Sequence, residues 1–231
     1  MKKIIALSAL SFAFASSAFA GSSYVTGNLQ FHSDSDKMHG SDVTSTLEAG
    51  HTFDNQFGGF TVYTEFDGIQ LGELAEEREV DVDGNSTSGG SSASAAVTIG
   101  GEQSFNLTDN LWVAAGYQHV IIEGESIQYR PLVKIGYNFD NGISISNRTR
   151  AHIDATDADA DIDYRMDNRI AYSVNEDLAL SYNNVYMIDA EVMDHELRAT
   201  WTRNGVQPYF EYRNQGDNTN NAFVFGASYG F

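Results

Sequence analysis

Arginine and lysine recur at alternate positions over one part of this chain. Arg130 and Lys134, then Arg148 and Arg150, then Arg165 and Arg169 stand at even spacings in successive segments, with Arg198 and Arg213 further on. A guanidinium presents a planar fork of donors that matches a carboxylate bidentately, and an ammonium offers a point charge. A row of such groups does the chemistry of recognising acidic solutes rather than of making bonds. The histidines (His32, His39, His51, His119, His152 and His195) find no convincing nucleophile–base partner by position, so catalysis is not expected. No cofactor is implied. Asp157, Asp159 and Asp161 have a calcium-like spacing but lack the glycine and terminal glutamate of an EF-hand loop, so no metal site is expected.

The segment Ile143–Ile153 shows what must position these cations. Its odd positions carry Ile143, Ile145, Thr149, Ala151 and Ile153, and its even positions carry Ser144, Ser146, Arg148, Arg150 and His152. Side chains alternate faces along a strand, so this strand is apolar on one side and cationic on the other. A soluble sandwich turns the apolar lane into a core. A membrane barrel turns it towards lipid and gives the polar lane a wet lumen.

The termini and the composition favour the barrel. Lys2 and Lys3 precede the apolar run Ile4–Phe14, and Ala18-Phe19-Ala20 has the small-x-small form of a signal-peptidase site, so residues 1–20 read as a signal peptide and 21–231 as the mature domain. The last strand places Phe223, Phe225, Ala227, Tyr229 and Phe231 on one lane. A terminal phenylalanine with an aromatic two residues earlier resembles the signal read by the barrel-assembly machinery of the outer membrane. There are no cysteines and only 2 prolines, against 14 phenylalanines and 12 tyrosines; no disulfides hold the fold, and the aromatics fit interfacial girdles. A formal charge of −19 argues against nucleic acid as a partner.

Twelve strand-like runs follow one another without a linker, near 24–32, 43–53, 60–68, 93–105, 111–122, 127–139, 143–155, 162–174, 178–188, 196–203, 206–213 and 222–231. The connections sort by parity. Those after even-numbered strands are tight and carry turn residues, as at Asp140-Asn141-Gly142 and Asn204-Gly205. Those after odd-numbered strands are mostly longer and acidic, as at Ile69–Ser92 and Asp189–His195, the exception being Glu123–Ser126. The expected fold is therefore all-β, a twelve-stranded antiparallel transmembrane β-barrel with short periplasmic turns and longer extracellular loops, in the outer membrane of a Gram-negative bacterium. Lipid and lipopolysaccharide would surround it.

Lane assignment then sends Arg130, Lys134, Arg148, Arg150, Arg165, Arg169, Arg198 and Arg213 inwards. A cation at the lipid midplane costs about 2–4 kcal/mol. Pairing Phe139 with Ile143 sets Lys134 opposite Arg148. Pairing Ala155 with Ile162 would bring Arg148 near Arg169, giving a cationic row over strands six to eight. Pairing Arg203 with Val206 sets Arg198 against Glu211 and Glu196 against Arg213 as neutralised pairs. On strands two and three, Glu48 faces Glu65 with Asp67 on the same lane, an acidic patch. Registers can slip by two residues without changing lanes. The long loop 69–92 either folds into the lumen or stays solvated.

The chain resembles the small monomeric porins of the oligogalacturonate-specific family, which includes sialic-acid-selective channels. The likeness is clearest at Tyr129-Arg130-Pro131, Pro208-Tyr209-Phe210-Glu211 and Ala227-Ser228-Tyr229-Gly230-Phe231. The resemblance implies a monomeric, narrow aqueous channel lined by basic residues and passing acidic mono- or oligosaccharides, with Arg130, Lys134, Arg148, Arg150, Arg165 and Arg169 in the positions that would carry this. Glu48, Glu65 and Asp67 depart from the cationic tracks on facing walls for which the family is known. Two readings stay open: a channel for acidic sugars, and a general small-solute porin whose basic and acidic walls set up a transverse field.

Overall fold

A computed structural model describes residues 21–33, 41–71, 79–80, 86–87, 95–216, 218 and 220–231. The expected signal peptide lies outside the described residues, as does most of the loop 69–92. Twelve strands form one closed antiparallel barrel. They are β1 (Gly21–His32), β2 (Val43–Asn55), β3 (Gly58–Gln70), β4 (Ala96–Asn106), β5 (Leu111–Ile122), β6 (Glu125–Asn138), β7 (Ile143–Asp154), β8 (Asp163–Ser173), β9 (Leu178–Met187), β10 (Val192–Trp201), β11 (Gln207–Gln215) and β12 (Asn220–Gly230). Each pairs with its neighbours in sequence, and β12 pairs with β1 to close the ring. Beyond β12, Phe231 exchanges two backbone hydrogen bonds with Ser23, at 2.9 and 3.0 Å. A short ladder of Glu79–Val80 against Ser86–Thr87 stands apart from the barrel sheet.

The burial pattern is inside out. Leu197, Val133, Phe225 and Ile99 on the outer lanes are more than half exposed, whereas Glu211 on an inner lane is 1% exposed. Such a surface is stable only in lipid, where the outer lanes meet hydrocarbon and every backbone group is satisfied across a closed ring.

Glycines on the inner lanes make room for aromatic rings. Tyr24 pairs with Gly50, Tyr63 with Gly100, Trp112 with Gly136 and Tyr209 with Gly226. A Cβ on Gly50 would lie 2.7 Å from the Tyr24 ring, and the other three rings press closer still on their glycines. The rings therefore lie flat against the wall across these glycines instead of projecting into the lumen.

The boundary that moves most is that of β10. It begins at Val192, four residues before the expected start, and the connection 189–195 shrinks to a tight turn with a hydrogen bond from Glu191 N to Ile188 O. Asp194 and His195 look like loop residues by composition but alternate in and out of the wall as strand residues. Glu123 and Gly124, with φ of 54° and 86°, form the two-residue hairpin turn that twisted strands favour.

Candidate pore lining

The inward cations and the acidic patch expected from the sequence line one cavity of about 480 Å³ inside the barrel: Arg130, Lys134, Arg148, Arg150, Arg165, Arg169, Arg198 and Arg213, together with Glu48, Glu65 and Asp67. The lanes are therefore as expected. The registers are as expected at three hairpins and different at a fourth. Lys134 faces Arg148, Glu48 faces Glu65, and Arg198 faces Glu211 with Glu196 facing Arg213. Between β7 and β8, however, Arg148 faces Asp167 and Arg169 faces Ser146, a two-residue slip from the expected pairing. The row expected as Lys134–Arg148–Arg169 is in fact Lys134–Arg148–Asp167. The physical reason is charge: like charges directly opposite are destabilising, and this register sets a carboxylate between cations.

Asp167 is the centre of that wall. Its Oδ2 accepts from Arg148 Nε at 2.9 Å and its Oδ1 from Arg165 Nη2 at 2.6 Å. Lys134 in turn reaches across β5 to Glu102 on β4, with Nζ 2.5 Å from Oε2. The reach is open because the intervening inner-lane residues, Ala114 and Gly116, are small. Glu102 was not singled out from the sequence, although its lane was readable; the partner lies two strands away, where pairwise registers give no signal. On β10 and β11, Glu211 accepts from Arg198 at 2.6 Å and Arg213 at 2.5 Å, and the Arg198 guanidinium lies 4.1 Å from the Tyr209 ring centroid.

Among the described residues, three inward arginines form no ion pair. Arg130 donates to Gln128. Arg169 Nη2 donates to Ser181 Oγ at 3.1 Å. Arg150 Nη1 donates to Gln118 Oε1 at 3.0 Å, and Gln118 Nε2 donates to the Tyr63 hydroxyl at 2.7 Å. A chain of neutral groups thus holds Arg150 without cancelling its charge. The carboxylates on β2 and β3 are likewise held by neutral donors: Glu48 by the Tyr24 hydroxyl at 2.7 Å and Asp67 by Thr46 Oγ1 at 2.6 Å. β3 and β8 stand five places apart on the ring of twelve, so the acidic patch and the arginines act across the lumen from different walls.

Two serine–imidazole contacts were not foreseen from the sequence: Ser23 Oγ to His51 Nδ1 at 2.7 Å and Ser126 Oγ to His119 Nε2 at 2.9 Å. Among the described residues no carboxylate or amide orients the second nitrogen of either ring, so neither is assembled as a nucleophile–base–orienter set. His152 lines the arginine wall beside Arg150.

The family described as oligogalacturonate-specific porin protein (KdgM) matches residues 49–224. Among solved structures, a KdgM porin in complex with disordered oligogalacturonate superposes with a TM-score of 0.65 at 14% identity, covering 90% of this chain and 99% of that one. The NanC porin gives 0.61 at 15% identity, covering 89% and 98%. An outer membrane phospholipase (OMPLA) dimer from Salmonella typhi gives 0.58 at 12% identity, covering 90% of each chain, a likeness of fold alone. Among curated proteins no sequence match is found.

Proposed function

Since this chain belongs to the oligogalacturonate-specific porin family, we propose that it passes acidic mono- or oligosaccharides of the uronate type across the outer membrane of a Gram-negative bacterium, and that Arg130, Arg150 and Arg169 carry the recognition. The observation behind this reading is the division of the lumen cations. Five are committed to carboxylates of the wall, and these three have neutral partners only. A passing carboxylate finds in them uncancelled, partly pre-oriented guanidiniums. Three separate sites of modest strength suit transport, because a solute must leave as readily as it enters.

A general small-solute porin is the second reading, and one observation favours it. The acids lining the cavity include Glu102, Asp167, Asp194 and Glu196 besides the patch of Glu48, Glu65 and Asp67. Seven lining acids stand against eight lining cations, so the lumen has little net field. Selectivity for acidic sugars must then come from local contacts. Single-channel recording with galacturonate oligomers separates the two readings. Brief, concentration-dependent current blocks that vanish in an Arg150→Gln/Arg169→Gln variant support local recognition. Blocks of equal frequency with neutral oligomers of the same length would leave the general porin.

A further inference from the structure

The glycine–aromatic pairs of the inner wall form a second pattern, which the ion pairs do not use. Of the four rings, Tyr24 and Tyr209 are 5% and 6% exposed, and the Arg198 guanidinium already lies over the Tyr209 face. Tyr63 and Trp112 are half-buried and line the lumen cavity. A Cβ on Gly100 would overlap the Tyr63 ring, and one on Gly136 the Trp112 indole. Each of these two rings therefore rests one face on its glycine and turns the other towards the lumen.

Register adds an arginine to each ring at the same offset. Tyr63 on β3 faces Gly100 on β4, which faces Gln118 on β5, which faces Arg130 on β6. Trp112 on β5 faces Gly136 on β6, which faces Ser146 on β7, which faces Arg169 on β8. The order aromatic, glycine, hydrogen-bonding side chain, arginine is thus repeated in one direction around the barrel. Arg130 and Arg169 are two of the three arginines with neutral partners only. Neighbouring strands lie about 4.8 Å apart, so the backbone of each arginine stands about 10 Å from the glycine beneath the ring. That gap suits one pyranose lying on the aromatic face with its carboxylate turned towards the guanidinium. On β6, Arg130 and Gly136 are six residues apart, about 20 Å of strand, so the two sets stand at different depths of the pore.

We propose that Tyr63 and Trp112 are stacking platforms for pyranose rings, each forming with the arginine of its row a subsite for one sugar acid. The proposal rests on the reading that Arg130 and Arg169 take carboxylates, and it narrows the solute from acids in general to acids borne on a sugar ring. The C–H face of a pyranose is apolar and its hydrogens are slightly positive, which matches the negative face of an aromatic ring. A uronate offers that face and its carboxylate together. A flexible acid without a ring gains only the guanidinium contact. Stacking on a flat wall is weak and tolerant of angle, so the solute is released as readily as it is held. Glycine at 100 and 136 is part of the device, because a side chain at either position would lift the ring off the wall.

The test compares single-channel block by a galacturonate oligomer with block by a glutamate oligomer that carries the same number of carboxylates and no sugar ring. The unaltered protein should hold the sugar longer. Trp112→Leu should shorten the dwell time of the sugar about three- to tenfold and leave that of the glutamate oligomer unchanged. Trp112→Phe, which keeps a ring over Gly136, should retain most of the preference. Heat-modifiable gel mobility confirms that each variant is a folded barrel. The chain has 2 tryptophans, and Trp201 lies on the outer face, so in a Trp201→Phe protein the emission of Trp112 should respond saturably to the galacturonate oligomer at the concentrations that block. Equal dwell times for the two oligomers in the unaltered protein, a Trp112→Leu effect that is the same for both, or an unresponsive Trp112 emission overturns the stacking proposal and leaves the carboxylate reading standing. Block by neither oligomer overturns that reading as well.

Discussion

Replacing Asp167 with Asn removes one charge from the lumen while keeping the shape of the side chain. In the native wall this carboxylate is 6% exposed and bridges Arg148 at 2.9 Å and Arg165 at 2.6 Å. Without it both guanidiniums face the lumen uncancelled, and the cavity, lined by eight cations and seven acids in the native protein, gains one positive charge. A unit charge about 5 Å from a passing monovalent ion in water changes its energy by about 0.8 kcal/mol, and physiological salt leaves roughly half of that. Anions and cations respond with opposite signs, so the anion-to-cation permeability ratio should rise about fourfold. Reversal potentials in a salt gradient across planar bilayers measure this ratio. The substitution should also lower stability by about 1–3 kcal/mol, less than for a fully buried pair, because the two arginines keep partial contact with water. An unchanged reversal potential in a correctly folded variant would refute the placement of this pair beside the ion path.

Three further outcomes follow from the same wall. Glu211→Gln leaves Arg198 and Arg213 without their shared carboxylate and should destabilise the barrel by about 3–5 kcal/mol, read from the temperature at which heat-modifiable mobility is lost. Gly100→Ala drives the Tyr63 ring off the wall and breaks its 2.7 Å hydrogen bond with Gln118; single-channel conductance should fall, with a stability loss of about 1–3 kcal/mol from overpacking, whereas Gly124→Ala at an open turn position should leave conductance unchanged. Arg150→Gln with Arg169→Gln should reduce block by galacturonate oligomers at least tenfold while altering open conductance far less, because the two arginines are removed without touching the paired wall.

The lanes were legible in the sequence because period-two alternation is absolute: a residue such as Arg148 cannot change face without moving the whole apolar set Ile143–Ile153 with it. Strand number and closure followed from the same pattern and from the tight turns at Asn141-Gly142 and Asn204-Gly205. Register was legible only where a tight turn fixed it, as for Lys134 with Arg148 and Arg198 with Glu211. Across the longer connection 155–162 nothing local fixes register, and the choice of Asp167 over Arg169 as the partner of Arg148 is made by charge pairing between strands. The Lys134–Glu102 bridge spans three strands, and the Tyr63–Gln118–Arg150 chain joins three side chains on the non-adjacent strands β3, β5 and β7, which no strand-by-strand reading contains. The start of β10 was hidden because Asp194 and His195 have loop-like composition on a strand whose inner face is wet.

The most direct test is uptake into liposomes of a short galacturonate oligomer compared with its methyl ester, which matches it in length and differs in charge. The wall described above predicts faster uptake of the acid, with the advantage lost when Arg130, Arg150 and Arg169 are replaced together by glutamine. Equal rates for acid and ester in the unaltered protein would contradict recognition by those three arginines.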